Sequence, residues 1–344
     1  MTAPQGKRIV VTGATGNVGT SVVTALTADD RVASVLGLAR RRPEWSPPRT
    51  EWARADIEKD GDAELAELLA GAAAVIHLAW AFQPTHDPLA TWRTNVLGGM
   101  RVFRAVAAAG VPALVYASSV GAYSPGPKDR YVDESWPTHG WPEAAYSREK
   151  AYLERALDGF EARHPEIRVV RLRPAFLFKE EAAVEQLRIF AGPWVPGRLA
   201  SPRFLPVVPD VEGLRFQALH TDDAADAYRR AALDEDARGA FNLAAEPPVG
   251  PDELAALLDA RVVRLPRPAV RAALAAAWRL RLARSSPQLF DAFLRLPLMD
   301  ASRAREELGW QPRHTALEAV EALLRGLREG TGMATAPLHG RGSR

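Results

Sequence analysis

The chain has 344 residues, with 44 Lys and Arg against 42 Asp and Glu, a formal net charge of +2, 47% hydrophobic and 25% charged residues. This is enough for a large core in one or two domains, and the mixed charge argues against a nucleic-acid binder, which concentrates one sign of charge in a patch. The chain contains no cysteine, which excludes disulfides and thiolate metal sites.

In chain order, the N-terminal "MTAPQGKRIV" lacks the apolar core of a signal peptide, and later apolar runs are too short or too interrupted to span a bilayer. A cytoplasmic location with no membrane partner is therefore expected. Residues 7–13 read as a strand and 17–29 as a helix. Strand and helix patterns then alternate: 32–40 strand, 62–71 helix, 73–80 strand, 91–110 helix, 112–119 strand, 142–164 helix and 167–176 strand. The strands are nearly continuous apolar runs, as in a parallel sheet covered on both faces, and the alternation predicts an α/β fold with a doubly wound parallel (Rossmann) sheet. Beyond Phe178 the pattern becomes proline-rich, then helical from Thr221, with a short strand in "GAFNLAA" and further helices to about residue 329. The arginine-rich "RPAVRAALAAAWRLRLARSS" reads as an amphipathic helix packed on a second lobe. The expected division is 1–175 for the dinucleotide domain, with returning segments near 216–245, a smaller C-terminal substrate lobe at 176–330, and a disordered tail at 331–344.

The stretch "VTGATGNVGT" places Gly13, Gly16 and Gly19 between a strand and a helix. Such a turn lets backbone N–H groups and the helix N-terminus approach a pyrophosphate. The spacing resembles the fingerprint of the extended branch of the short-chain dehydrogenase/reductase superfamily, which includes nucleotide-sugar epimerases and dehydratases. Further matches are "RADIEKD", "VIHLAW", "TNVLGG", "YASSVGAY", "YSREK", "ALHTDDAADAY", "FNLA" and "MDASRAREELGW", over about residues 7–325. The resemblance implies cofactor contacts from Gly13, Thr15, Gly16, Asn17, Val18, Gly19, Asp56, Ile57, Leu78, Ala79, Asn95, Ser118 and Pro174, and from Tyr146 and Lys150. It also implies a homodimer through the helices near 91–109 and 143–163.

Hydride transfer at a carbinol carbon needs a matching proton at its oxygen. Tyr146 and Lys150 are four residues apart on a predicted helix, so they share a face with Leu153, Leu157 and Phe160. A free tyrosine is a poor base at neutral pH, and a nearby ammonium favours its phenolate. By family spacing Ser119 is the hydroxyl that holds the substrate oxygen, and Ser118 has a structural or cofactor contact. His77 reads as a satisfied buried residue, Trp310 as a core anchor, and no metal-ligand spacing occurs, so no metal is expected.

An NAD site carries an acid about 20 residues beyond the glycines; here Ala39 stands in that place, followed by Arg40, Arg41 and Arg42. Guanidinium groups suit a 2′-phosphate, so NADP(H) is favoured, with NAD(H) as the other option. The resemblance makes dehydration unfavoured, because the acidic pair that the family's dehydratases carry after the serine is absent. Ala175, Phe176, Leu177 and Phe178, with Trp194, Phe204, Leu205 and Val207, suggest an apolar lining; Arg188, Arg198, Arg203 and Arg215 could instead bind a diphosphate. Three readings follow. The first is an NADP(H)-dependent oxidoreductase interconverting a secondary alcohol and a ketone on an apolar small molecule. The others are a nucleotide-sugar 4-epimerase with retained NAD and a non-catalytic dinucleotide sensor.

Overall fold

The structure, a computed structural model, describes residues 6–83, 85–192 and 206–340. Its centre is a seven-stranded, all-parallel sheet of β1 (Lys7–Thr12), β2 (Val32–Ala39), β3 (Thr50–Arg54), β4 (Ala74–His77), β5 (Ala113–Ala117), β6 (Arg168–Pro174) and β7 (Gly239–Leu243). The spatial order is β7-β6-β5-β4-β1-β2-β3. The chain runs outward from β1 to β3, then returns to β4 on the other side of β1. That reversal opens a crevice beyond the C-terminal ends of β1 and β4, where Thr12 pairs with His77.

Helices cover both faces. One face carries α1 (Asn17–Thr27); the other carries α2 (Asp62–Leu69), α3 and α4 (Ala145–Arg163). Helix α3 is continuous over 88–108 but changes winding: Pro88–Trp92 is α-helical, Arg93–Leu97 is π-helical and Gly98–Ala108 is α-helical again. The π segment turns Asn95 inward, where it is 1% exposed. Leu153, Leu157 and Phe160 of α4 are buried as their spacing requires, so α4 presents Tyr146 and Lys150 to the sheet.

The second lobe and returning segments contain α5 (Ala183–Phe190), α6 (Thr221–Leu233), α7 (Pro251–Leu258), α8 (Arg267–Arg279), α9 (Pro287–Phe293), α10 (Ser302–Glu307) and α11 (Ala316–Glu329). Helix α6 packs beside α1, and β7 extends the central sheet along β6. Trp310 is fully buried and donates its indole N–H to the Asp223 carbonyl at 2.8 Å. Three small parallel pairs add to the lobe: Phe176–Phe178 with Ala218–His220, Val207–Asp210 with Arg261–Arg264, and Tyr131–Val132 with Leu298–Met299. No residue of α8 is buried; Arg267 and Arg271 hold it through Asp291 at 3.2 and 2.6 Å. Among the described residues no helix is long and apolar enough to cross a membrane.

The expectation of a disordered tail is corrected over 331–340. Thr335 and Leu338 are each 1% exposed, and Thr335 Oγ1 donates to the Thr15 carbonyl at 3.0 Å. Composition predicts disorder for a small, polar segment, but these residues gain their order from contacts with the glycine loop.

Glu154 is fully buried in α4 and joins two buried arginines. It accepts from Ser118 Oγ at 2.6 Å, from Arg173 Nε at 2.9 Å and Nη2 at 3.0 Å, and from Arg171 Nη1 at 3.1 Å. Burial alone would raise its pKa; Arg173, Arg171 and Ser118 outweigh that and hold it at about 2. Glu154→Ala should cost about 3–5 kcal/mol, because buried Arg173 loses its carboxylate partner and Arg171 keeps only the more exposed Asp158 and Glu161; equilibrium urea unfolding measures it.

Candidate active site

The three glycines do different work. Gly13 has φ +68°, and a Cβ there would lie 2.7 Å from the Ala79 nitrogen. A Cβ on Gly19 would lie 2.2 Å from the Gly13 carbonyl oxygen, so this glycine lets α1 sit close to β1. A Cβ on Gly16 would meet only the Gly13 oxygen, at 3.5 Å, and otherwise open space. Helix α1 starts there with no side-chain cap and no acid in its first turn. The first-turn N–H groups are therefore available to an anion, and the residues present fit the pyrophosphate of a dinucleotide. The Asn17 side chain serves the frame instead: its amide donates to the Leu177 carbonyl at 3.3 Å, and its oxygen accepts from Thr221 at 3.1 Å.

At the end of β5, Ser119 Oγ accepts the Gly121 N–H at 3.0 Å and lies beside the Tyr146 phenol, whose pKa it pulls down. The Tyr146 ring lies on Gly121 so closely that a Cβ there would approach its Cε1 to 2.6 Å. Gly121 is thus a positioning residue that sequence reading did not single out; its signal is a glycine two residues after the candidate serine. Phe82 stacks on Tyr146 with ring centroids 4.9 Å apart and planes 10° apart, and Trp80 meets it edge-on at 5.6 Å. Both aromatics follow β4 at the crevice, and their position at a strand's C-terminal end was the available signal.

These rings alter the expected electrostatics. Lys150 Nζ donates to the Ala117 carbonyl at 2.6 Å and lies 3.6 Å from the centroid of Trp80, whereas the Tyr146 centroid is 6.0 Å away. Burial pushes the Tyr146 phenol up to about 12, with Ser119 pulling the other way, and Lys150 does not lower it in this arrangement. Burial takes Lys150 down to about 7, against Glu149 and Glu154. In this conformation the Trp80 face and the Ala117 carbonyl hold Lys150.

Other expected contacts divide. Ser118 is structural, through Glu154. The side chain of Asn95, expected at the cofactor, is engaged within the protein: its oxygen accepts the Ala81 N–H at 2.7 Å, and its amide donates to the Ala81 carbonyl at 2.8 Å and to Glu149 at 2.7 Å. It braces the loop that carries Trp80 and Phe82. Glu149, missed although it lies inside "YSREK", is 1% exposed and also accepts from Thr91 at 2.6 Å. His77 is buried and shares a 2.7 Å hydrogen bond with Thr12. The Leu78 and Ala79 N–H groups both reach Thr12 Oγ1, at 3.2 and 3.3 Å. Asp56 accepts the Glu58 N–H at 3.1 Å, Ile57 is buried beside it, and Pro174 ends β6. Arg40, Arg41 and Arg42 are exposed and make no ion pair or hydrogen bond with another described residue. Val207 is 43% exposed, and Arg215 is tied to the Lys128 backbone at 3.1 Å. Trp194, Arg198, Arg203, Phe204 and Leu205 lie outside the described residues.

Residues 9–244 match the NAD dependent epimerase/dehydratase family. The chain belongs to this family. It is an enzyme of the extended short-chain dehydrogenase/reductase type, as its motifs imply. It is 27% identical over 330 residues to a UDP-glucose 4-epimerase of Mycolicibacterium smegmatis, covering 91% of this chain and 96% of that one. It is 29% identical over 319 residues to an uncharacterized protein of Mycobacterium tuberculosis, covering 89% and 77%. Among solved structures, the Thermus thermophilus UDP-glucose 4-epimerase in complex with NAD is similar in fold, with a TM-score of 0.69, 20% identity, and 93% and 99% of the two chains covered. MoeE5 in complex with UDP-glucuronic acid and NAD is similar too, with a TM-score of 0.68, 20% identity and coverage of 94% and 99%.

In this family member a cavity of ≈ 170 Å³ adjoins Tyr146, walled by Trp80, Phe82, Trp278 and Leu289 together with polar groups that include Glu143, Arg148, Glu149 and Gln288. Two predictions follow from the site. Gly121→Ala should lower turnover by about tenfold or more by displacing the Tyr146 ring, with little change in melting temperature; steady-state kinetics and a thermal melt separate the two effects. Between pH about 7 and about 10 an unfolded Lys150 carries a proton that the folded one lacks, so stability should rise with pH across that window. Lys128 and Lys179, also lowered by burial, act in the same direction. Lys150→Met should therefore reduce the slope of melting temperature against pH without abolishing it.

Proposed function

We propose that this chain is a nucleotide-sugar 4-epimerase that retains NAD. The observation that carries the reading is the Ser119–Tyr146 pair, seated on Gly121 at the end of β5. It opens on the crevice that the glycine loop also borders. Family membership and the epimerase relative support it.

The bound dinucleotide supplies a reversible hydride acceptor. Backbone N–H groups at the start of α1 hold its pyrophosphate. Ser119, oriented by the Gly121 N–H, hydrogen-bonds the carbinol oxygen of the substrate. Tyr146 takes the proton from that oxygen during oxidation and returns it on re-reduction. Inversion at that carbon requires the transient ketone to turn its opposite face to the returning hydride, while the same phenol gives the proton back to its oxygen. With its pKa at about 12, the phenol holds its proton at neutral pH and is ready as an acid. Its use as a base calls for the Lys150 ammonium closer than the Trp80 face now holds it.

Specific observations favour a second reading, an NADP(H)-dependent reductase of an apolar ketone. Ala39 and the exposed Arg40 and Arg41 suit a 2′-phosphate, and the cavity beside Tyr146 has three aromatic rings on its wall and about the volume of a single ring. A protonated Tyr146 also suits the reductive direction.

Mass spectrometry of the dinucleotide released on denaturation, then a panel of UDP-sugars and ketones, decides between them. Co-purifying NAD with interconversion of epimeric UDP-sugars supports the epimerase; no retained cofactor together with NADPH-driven ketone reduction overturns it. In either case Tyr146→Phe should lower turnover by about 10²–10⁴-fold while dinucleotide affinity stays within about twofold.

A further inference from the structure

Helix α11 ends at Gly330, whose φ of +73° turns the chain back across the molecule. Residues 331–340 then close into a compact loop. The Met333 N–H donates to the Leu338 carbonyl at 2.8 Å and the Leu338 N–H to the Thr335 carbonyl at 3.0 Å. A Cβ on Gly332 would lie 2.1 Å from the Gly340 nitrogen, so the two ends of the loop touch backbone to backbone. Leu338 anchors the loop in the interior, and Ala336–Leu338 packs against α5.

Two hydrogen bonds give this loop its place. Thr335 Oγ1 donates to the Thr15 carbonyl at 3.0 Å, inside the protein. The Ala334 carbonyl accepts the Trp45 N–H at 3.1 Å. Thr15 lies within the glycine loop, and Trp45 follows Arg40–Arg42 by three residues beyond the end of β2. The loop after β1 and the end of β2 are the two segments that flank the adenosine ribose of a dinucleotide bound at such a crevice. Residues 334 and 335 bridge them. Gly16 remains clear on its ligand side, so the bridge leaves the pyrophosphate cradle uncovered.

We infer that residues 331–340 form the outer wall of the adenosine end of the dinucleotide site and slow release of the cofactor. The inference rests on the dinucleotide reading above and extends the site to a segment that begins 168 residues beyond the end of its catalytic helix at Arg163. Thr335 fixes the wall to the glycine loop, and Trp45 fixes it to the segment that follows the arginines. A wall of this kind acts mainly on the dissociation rate, because it holds a ligand already seated and adds no long-range attraction. It distinguishes the two halves of the ligand: the adenosine half touches it and the nicotinamide half does not.

The test compares the full chain with Thr335→Val and with a chain ending at Gly330. Affinities for 5′-AMP and nicotinamide mononucleotide are measured by calorimetry, NADH release by stopped-flow fluorescence, and folding by thermal melting. The shortened chain should bind 5′-AMP about tenfold more weakly and release NADH correspondingly faster, with nicotinamide mononucleotide affinity within about twofold. Thr335→Val should show the same pattern at about threefold, as the loss of one buried hydrogen bond implies. Unchanged 5′-AMP affinity in Thr335→Val and in the shortened chain overturns the inference and leaves the dinucleotide reading intact. Equal weakening of both mononucleotides also overturns it, because that marks general loosening. If the shortened chain fails to fold, Thr335→Val alone decides. A full chain that binds neither NADH nor 5′-AMP overturns the dinucleotide reading and the inference together.

Discussion

The buried carboxylate of Glu154 fixes the geometry on which the site depends. It is a full charge with no exposure to water, stabilised by Ser118 and by two buried arginines on β6. Such a group tolerates little displacement, because any lost partner leaves a charge in a low-dielectric interior. The carboxylate ties α4 to the end of β5 and to β6 at once. Ser118 precedes Ser119, and Glu154 lies one helical turn beyond Lys150 and two beyond Tyr146. The same junction therefore sets the spacing of the hydroxyl, phenol and ammonium groups. Arg173 carries it further, donating to the Tyr123 hydroxyl at 2.9 Å, which in turn reaches Asn242 of β7 at 2.7 Å.

A second polar brace controls the electrostatics. Glu149 holds Asn95, and Asn95 holds both backbone groups of Ala81. Ala81 sits between Trp80 and Phe82, so this brace decides where the two rings lie. The rings lie over half-buried Tyr146 and buried Lys150, and burial moves the two groups in opposite directions: the phenol up to about 12 and the ammonium down to about 7. Each shift favours the neutral form: the phenol keeps its proton at neutral pH, and the lysine is poised near the point of losing its own. The chemistry of both residues is thus governed by a loop that contributes no reacting atom.

Much of this was legible beforehand where the signal is short-range. The strands β1, β2, β4, β5 and β6 were apparent as apolar runs, and α4 as a stripe of Leu153, Leu157 and Phe160. The strand pair of Val207–Asp210 and Arg261–Arg264 was not, because four residues carry no readable period and the two strands meet across some 50 intervening residues. Helix α8 carried a clear amphipathic pattern, yet no residue of it is buried, because a periodic pattern says nothing of how deep a face will sit.

The sequence by itself determined the strand–glycine–helix opening, the alternation that winds the sheet, and the placement of Ser119, Tyr146 and Lys150 on elements that meet at one crevice. Those features follow from torsional freedom at glycine, from hydrophobic periodicity and from the geometry of a single helix, all of which act within a few residues. Only the tertiary structure decided which partners these groups take: Lys150 on Trp80, Asn95 on Ala81 and Glu149, Ser118 on Glu154, and Thr335 on Thr15. Each of these contacts joins residues from separate elements. A hydrogen bond or ring contact across such a distance is chosen by how the layers pack, and packing has no local code in the chain.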